Sequence, residues 1–195
     1  GETLITGIGQ GYIQTTPLQL CLMTAQIANG GYKIKPKIIV NDDPLSLENA
    51  KTAMELQSLQ TPNTKLFNDP KNIKIVQEAM FSSTNEQFGT SYRSRIDDPK
   101  YQFAGKTGTA QVKRISKRER ELDLKLEQIP YKDRDHALYV AYGPYKNPRY
   151  ALSIIVEHGG SGSKAAAPMA KELFKLIIDR DELRDKQSNF ENINI

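Results

Sequence analysis

The residues best equipped for chemistry in this 195-residue chain are Lys106, Thr107, Gly108 and Thr109, within the run Gly105-Lys106-Thr107-Gly108-Thr109-Ala110-Gln111. The run follows the aromatic residues Tyr101 and Phe103 and reads as a strand. A lysine there supplies a fixed positive charge, and neighbouring threonine hydroxyls can hold a carboxylate. The glycines leave the backbone bare, so a ligand can approach the strand and pair with it. Together these types describe a strand edge that receives an anionic substrate. An isolated Lys-Thr-Gly triplet is equally an ordinary exposed lysine on a strand, so the surrounding elements must decide.

Few other residues compete for a chemical role. His136 and His158 lack metal-site spacing and read as structural or exposed. Asp97-Asp98 reads as turn chemistry rather than an acid pair. The single cysteine, Cys21, excludes an internal disulfide and a cysteine metal cluster. It falls on the apolar face of a predicted helix, as a core thiol would. No metal or cofactor is expected. Gly7, Gly9 and Gly11 form G-x-G-x-G, but the spacing and the absence of a preceding strand exclude a dinucleotide fingerprint.

The composition is polar yet that of a folded chain: 38% hydrophobic, 26% charged, net charge +4. The length suggests one domain or a large part of one. The basic residues are mixed with acids and no base-reading motif is present, so nucleic acid is not an expected partner. With no signal peptide and no apolar run of about 18 residues, the chain is not expected to span a membrane. It begins at glycine rather than methionine and reads as a piece of a longer protein.

The elements that would position the strand follow from capping and periodicity. Thr16-Pro17-Leu18-Gln19 is a helix start, with Thr16 as N-cap, Pro17 in the first turn and Gln19 completing a capping box. Leu18, Cys21, Leu22, Ala25 and Ala28 recur at helical spacing, and Asn29-Gly30-Gly31 ends the helix. Residues 32–40 suggest a short extended segment broken by Pro36, and residues 41–68 an irregular excursion. A second helix follows Asp69-Pro70, with Ile73, Val76, Met80, Phe81 and Thr84 on one face and Gly89 closing it. Residues 113–135 hold eight Lys/Arg and six Asp/Glu and read as a long solvated excursion. A hairpin follows: strand 137–142, turn 144–148, strand 150–157. Pro168 opens a last helix with Met169, Leu173, Leu176 and Ile177 inward, and residues 182–195 form a polar, frayed tail. The fold class is α+β: a three-stranded antiparallel meander with flanking helices, the last packed on the sheet. Residues 1–181 form the domain portion.

Four segments in order resemble class B penicillin-binding proteins. Gly7-Ile8-Gly9-Gln10-Gly11-Tyr12 with Thr15-Thr16-Pro17-Leu18-Gln19 is similar to their GIGQG and TP.Q segment. Lys106-Thr107-Gly108-Thr109-Ala110-Gln111 resembles their K-[ST]-G-T-A-Q strand. Tyr142-Gly143-Pro144-Tyr145 resembles the A-x-x-P end of the next strand. Glu157-His158-Gly159-Gly160 with Ala166-Ala167-Pro168 resembles the E-x-G-G and A-A-P that join the last strand to the last helix. The G-Q-G-Y ending and the charged insertion after Ala110-Gln111-Val112 look like the elongation, rod-shape subgroup, with the division type as the rival. The resemblance covers residues 1–178.

The resemblance implies the penicillin-binding protein and serine β-lactamase-like fold, in part, and the activity of D,D-transpeptidation. There a serine attacks the D-alanyl-D-alanine carbonyl of a peptidoglycan stem peptide and forms an acyl-enzyme that a second stem peptide then attacks; β-lactams acylate the same serine. It makes Lys106 the third-motif lysine, Thr107 and Thr109 the carboxylate-binding hydroxyls, and the Thr109 N–H an oxyanion-hole donor, with Gly108 keeping the strand surface open. It implies a parent anchored in the inner membrane with this part periplasmic, working with a membrane glycosyltransferase of the elongation machinery. Two look-alikes are rejected as catalytic: Ser161-Gly162-Ser163-Lys164 fits S-x-x-K and Ser83-Thr84-Asn85 fits S-x-N, but both stand in the wrong places. The 195 residues alone are therefore expected to be inactive and not to be acylated by a β-lactam. In the family, N-terminal strands pair with the last strand; without them, strand 150–157 is expected to be covered by self-association, by a rearranged segment of this chain, or by the N-terminal part. Rival readings are a penicillin-sensing or non-catalytic peptide-binding module of the same fold, a serine β-lactamase, and a basic structural domain with an accidental Lys-Thr-Gly.

Overall fold

In the computed structural model, the described residues are 2–7, 9, 11, 13–36, 64–113, 121 and 124–193, the side chains only as far as Leu183. Helix α1 is the short Glu2–Gly7, which the glycine-rich sequence did not announce. Helix α2 is Pro17–Ala28. Its start is as expected: the Gln19 amide donates to Thr16 Oγ1 at 3.2 Å, and the Thr16 amide donates to Gln19 Oε1 at 2.8 Å. Helix α3 is Pro70–Asn85, capped by Asp69, whose carboxylate accepts from the Lys71 amide at 2.9 Å. It stops at Asn85 and not at Gly89, because residues 86–91 turn back so that the Ser91 amide bonds the Ser83 carbonyl at 3.0 Å.

Three strands follow, β1 (Ala104–Ala110), β2 (His136–Gly143) and β3 (Tyr150–Val156), antiparallel in the order β1-β2-β3. Lys106 lies opposite Val140, Thr107 opposite Tyr139 and Gly108 opposite Leu138. Tyr139 in turn lies opposite Ile154. Alternation sends the two sets of side chains to opposite faces. Ala104 and Tyr142 pack with Met80, Phe81, Ile27 and Ala28 on the α2–α3 face. Tyr139, Ala141, Leu152 and Ile154 pack on the other, beneath helix α4 (Ala167–Ile193). The sheet is thus held between two helical layers. Gln77 ties the first layer together by donating from Nε2 to the Ile27 carbonyl at 2.7 Å.

Helix α4 packs on the sheet as expected, but through another face. Ala167, Ala170, Phe174 and Ile178 are buried, while Met169, Leu173 and Leu176 are exposed. The alanines let the helix axis approach the sheet, and Phe174 stacks on Phe103 with ring centroids 4.9 Å apart. A turn of π-helix, Gly162–Ala166, precedes α4 and sets this phase. The helix continues as helical backbone through Ile193, where a frayed tail was expected. Val76, expected inward on α3, is also exposed. Cys21 is half-buried rather than a core thiol, its Sγ 3.4 Å from the Ala151 carbonyl, and burial pushes the thiol pKa up.

The readings of residues 37–63 lie outside the described residues, as does much of 113–135. The described part of the latter excursion holds two 3-10 turns, Leu126–Gln128 and Tyr131–Asp133. No helix among the described residues is long and apolar enough to cross a membrane.

Candidate active site

The four chemical residues singled out by the sequence lie together on β1, an outer strand of the sheet. Lys106 and Thr109 are exposed, and Thr107 and Gly108 are half-buried. The Lys106 ammonium donates to the Thr107 carbonyl at 2.7 Å, so the charge sits along the strand itself. Its side chain also borders a groove of about 660 Å³ between α2 and α3. Met23, Ile27, Val76 and Met80 make the groove apolar, and Ser83, Phe88 and Thr90 stand with Lys106 among its lining residues. A cation beside apolar walls acts through a lower local dielectric than one in open water, which strengthens its pull on an anion.

The turn after α3 fixes the flank of β1. Tyr139 Oη lies 2.9 Å from Thr84 Oγ1 and 3.1 Å from Ser91 Oγ, all three buried. The Ser91 hydroxyl also donates to the Ser83 carbonyl at 3.0 Å. Burial pushes the Tyr139 phenol up, against the opposing pull of the Ser91 and Thr84 bonds, so it stays neutral. Gly105 makes this network possible. A Cβ on Gly105 would collide with the Tyr139 hydroxyl and ring, so this glycine serves the core rather than a ligand.

A second, more exposed line of hydroxyls leads to the candidate site. Ser83 Oγ is 3.2 Å from Thr90 Oγ1, which is 3.3 Å from Thr107 Oγ1. Asn85 completes the support by donating from Nδ2 to the Phe103 carbonyl at 2.9 Å, just before β1 begins. Behind the strand, Gly162 sits against backbone: a Cβ there would meet the Leu138 and Gly108 carbonyls.

The two S-x-x-K and S-x-N look-alikes fall in different surroundings. Ser83, Thr84 and Asn85 brace β1 through the contacts above. Ser161 lies before the π-turn, its hydroxyl 3.0 Å from Ser163 Oγ. His136 and His158 are half-buried and mutually bonded, the His158 amide donating to His136 Nδ1 at 2.9 Å. No cluster of three metal-ligating side chains occurs among the described residues. Asp98 does turn work, accepting from the Lys100 amide at 2.9 Å. Sequence reasoning missed Thr90, Ser91 and Tyr139. Two hydroxyl pairs, Ser83-Thr84 and Thr90-Ser91, stand seven residues apart around Gly89, and that spacing was the available signal.

Residues 1–175 match the family described as "Penicillin binding protein transpeptidase domain". The chain belongs to the penicillin-binding protein transpeptidase family. Peptidoglycan D,D-transpeptidase MrdA of Salmonella typhimurium is 34% identical over 181 residues, 92% of this chain and 27% of that protein. Pseudomonas aeruginosa PBP2, solved in complex with WCK 5153, is 35% identical with a TM-score of 0.63, covering 90% of this chain and 33% of that one. Helicobacter pylori PBP2, solved in complex with MreC, is 32% identical with a TM-score of 0.64, covering 89% of this chain and 27% of that one. The chain thus spans about a quarter of the length of the curated relatives it matches. Its three-stranded sheet and flanking helices are part of the penicillin-binding protein transpeptidase fold.

Proposed function

We propose that this chain carries the substrate-docking strand of a peptidoglycan D,D-transpeptidase of the elongation type. The observation that carries the reading is the placement of Lys106, Thr107, Gly108 and Thr109 on one outer strand beside a groove, in a chain that belongs to the transpeptidase family. The substrate is the D-alanyl-D-alanine end of a stem peptide, and β-lactams compete for the same place. The Thr107 and Thr109 hydroxyls donate to the terminal carboxylate, and the Lys106 ammonium supplies the field that draws it in. The Thr109 N–H stabilises the oxyanion that forms as the acyl-enzyme is made and broken. Gly108, between them, keeps side-chain bulk off the docking edge.

We further propose a periplasmic domain of an inner-membrane protein, a reading that the likeness to MrdA and PBP2 supports, and, from the elongation-type resemblance alone, cooperation with a membrane glycosyltransferase. We assign residues 1–181 to the transpeptidase domain and 182–195 to its tail. The test is acylation of the complete transpeptidase by a fluorescent penicillin. Lys106→Ala should lower the second-order rate constant at least about tenfold, the lower end of what a charge-assisted hydrogen bond carries, with thermal stability unchanged. An unchanged rate would refute the reading.

A further inference from the structure

We propose that Thr90 is a positioning residue for the acyl-transfer site, turning the Thr107 hydroxyl so that its proton points at the substrate carboxylate. The inference rests on the docking role given to Thr107 above. A threonine hydroxyl has one proton and can swing it among several acceptors. To donate to a carboxylate, Thr107 must be kept from spending that proton elsewhere, and a donor at its own oxygen does this. Thr90 Oγ1, at 3.3 Å, is placed to be that donor, and Ser83 Oγ, at 3.2 Å from Thr90, is placed to donate to Thr90 in turn. Read from α3 outward, the three hydroxyls form a one-way line, Ser83 to Thr90 to Thr107 to carboxylate. Each bond in such a line polarises the next.

The two contacts are long for hydroxyl bonds, so the rigidity of the turn matters more than their length. Thr90 is fixed on both sides. The next residue, Ser91, is buried and bonded through its hydroxyl to the Ser83 carbonyl and to Tyr139 Oη. The preceding Gly89 lies so close to the Ser82 and Ser83 carbonyls that a Cβ there would overlap backbone. The peptide bearing Thr90 therefore cannot drift from β1, while the Thr107 side chain can turn toward it. Hydrogen bonds at such sites commonly tighten when the ligand binds. Thr90 touches no reacting atom in this scheme and acts only through Thr107.

The test compares benzylpenicillin with its methyl ester, which lacks the carboxylate, as acylating agents of the complete transpeptidase. Thr90→Val should slow acylation by the acid about 2- to 12-fold, the range of one neutral hydrogen bond, leave the ester rate and the melting temperature unchanged, and be rescued by Thr90→Ser. The Thr90→Val/Thr107→Val double variant should be no slower than Thr107→Val alone, because the two act in series. Equal loss on acid and ester, additive losses, or no loss in Thr90→Val while Thr107→Val is impaired would each overturn the role of Thr90 alone. A Thr107→Val enzyme that keeps its preference for the acid would overturn the docking reading, and this inference with it.

Discussion

Substituting the two glycines of β1 separates the structural demands on the strand from its chemical ones. Gly105→Ala places a methyl group on the Tyr139 hydroxyl, with ring carbon Cε1 2.8 Å away. The ring has no free direction: Phe103 meets it edge-on at 6.4 Å, and Thr84 and Ser91 hold its hydroxyl at 2.9 and 3.1 Å. Overpacking of this kind costs about 1–3 kcal/mol. Moving the ring also gives up two buried hydrogen bonds at about 0.5–1.5 kcal/mol each. The expected total is about 2–6 kcal/mol, a fall in melting temperature of about 5–20 °C for a chain of this size. Gly108→Ala meets only Leu138 Cβ at 3.3 Å. Its stability should stay within about 1 kcal/mol of the parent, since the stiffer unfolded chain offsets the tight contact. Thermal and urea unfolding measure both variants. In a Tyr139→Phe background the Gly105→Ala cost should shrink, because the hydroxyl bonds are already gone. A Gly105→Ala protein as stable as the parent, or a Gly108→Ala protein that is the worse of the two, would show that the Tyr139 ring does not set the demand for glycine at position 105.

Two further outcomes are expected. The Tyr101 hydroxyl first and the Lys100 ammonium second hold the Asp179 carboxyl below its usual value. A depressed carboxyl stabilises the fold above its unfolded pKa of about 4 and loses that contribution as pH falls below it. Acid unfolding of Asp179→Asn should therefore be less steep than that of the parent below about pH 4, and identical profiles would contradict this. The outer edge of β3 has no partner strand among the described residues, and its exposed Ile155 adds apolar surface. Sedimentation of the 195-residue chain should show self-association that Ile155→Lys suppresses, whereas a strict monomer at all concentrations would count against an open edge.

What could be read in the sequence was local. The capping box at Thr16 and Gln19 fixes the start of α2 because both partners lie within one turn. The hairpin 136–156 declares itself through alternation and the Pro144–Pro148 turn, and the chemistry of β1 lies in one short run. What could not be read depended on distance or on closeness of approach. Tyr139 meets Thr84 across 55 positions, and nothing in either residue's neighbourhood signals the pairing. On α4 the larger Met169, Leu173 and Leu176 outscore alanines as core candidates, yet Ala167 and Ala170 are chosen because small residues let the helix settle on the sheet. Gly105 was read as an opening for ligand, and only the ring of Tyr139 beneath it shows the other reason for a glycine.

The docking role of β1 is decided by a crystal structure of the complete protein acylated by a β-lactam. The ligand carboxylate should lie within about 2.5–3.0 Å of the Thr107 and Thr109 hydroxyls, and the acyl oxygen on the Thr109 N–H. A carboxylate held by other groups, away from β1, would contradict it.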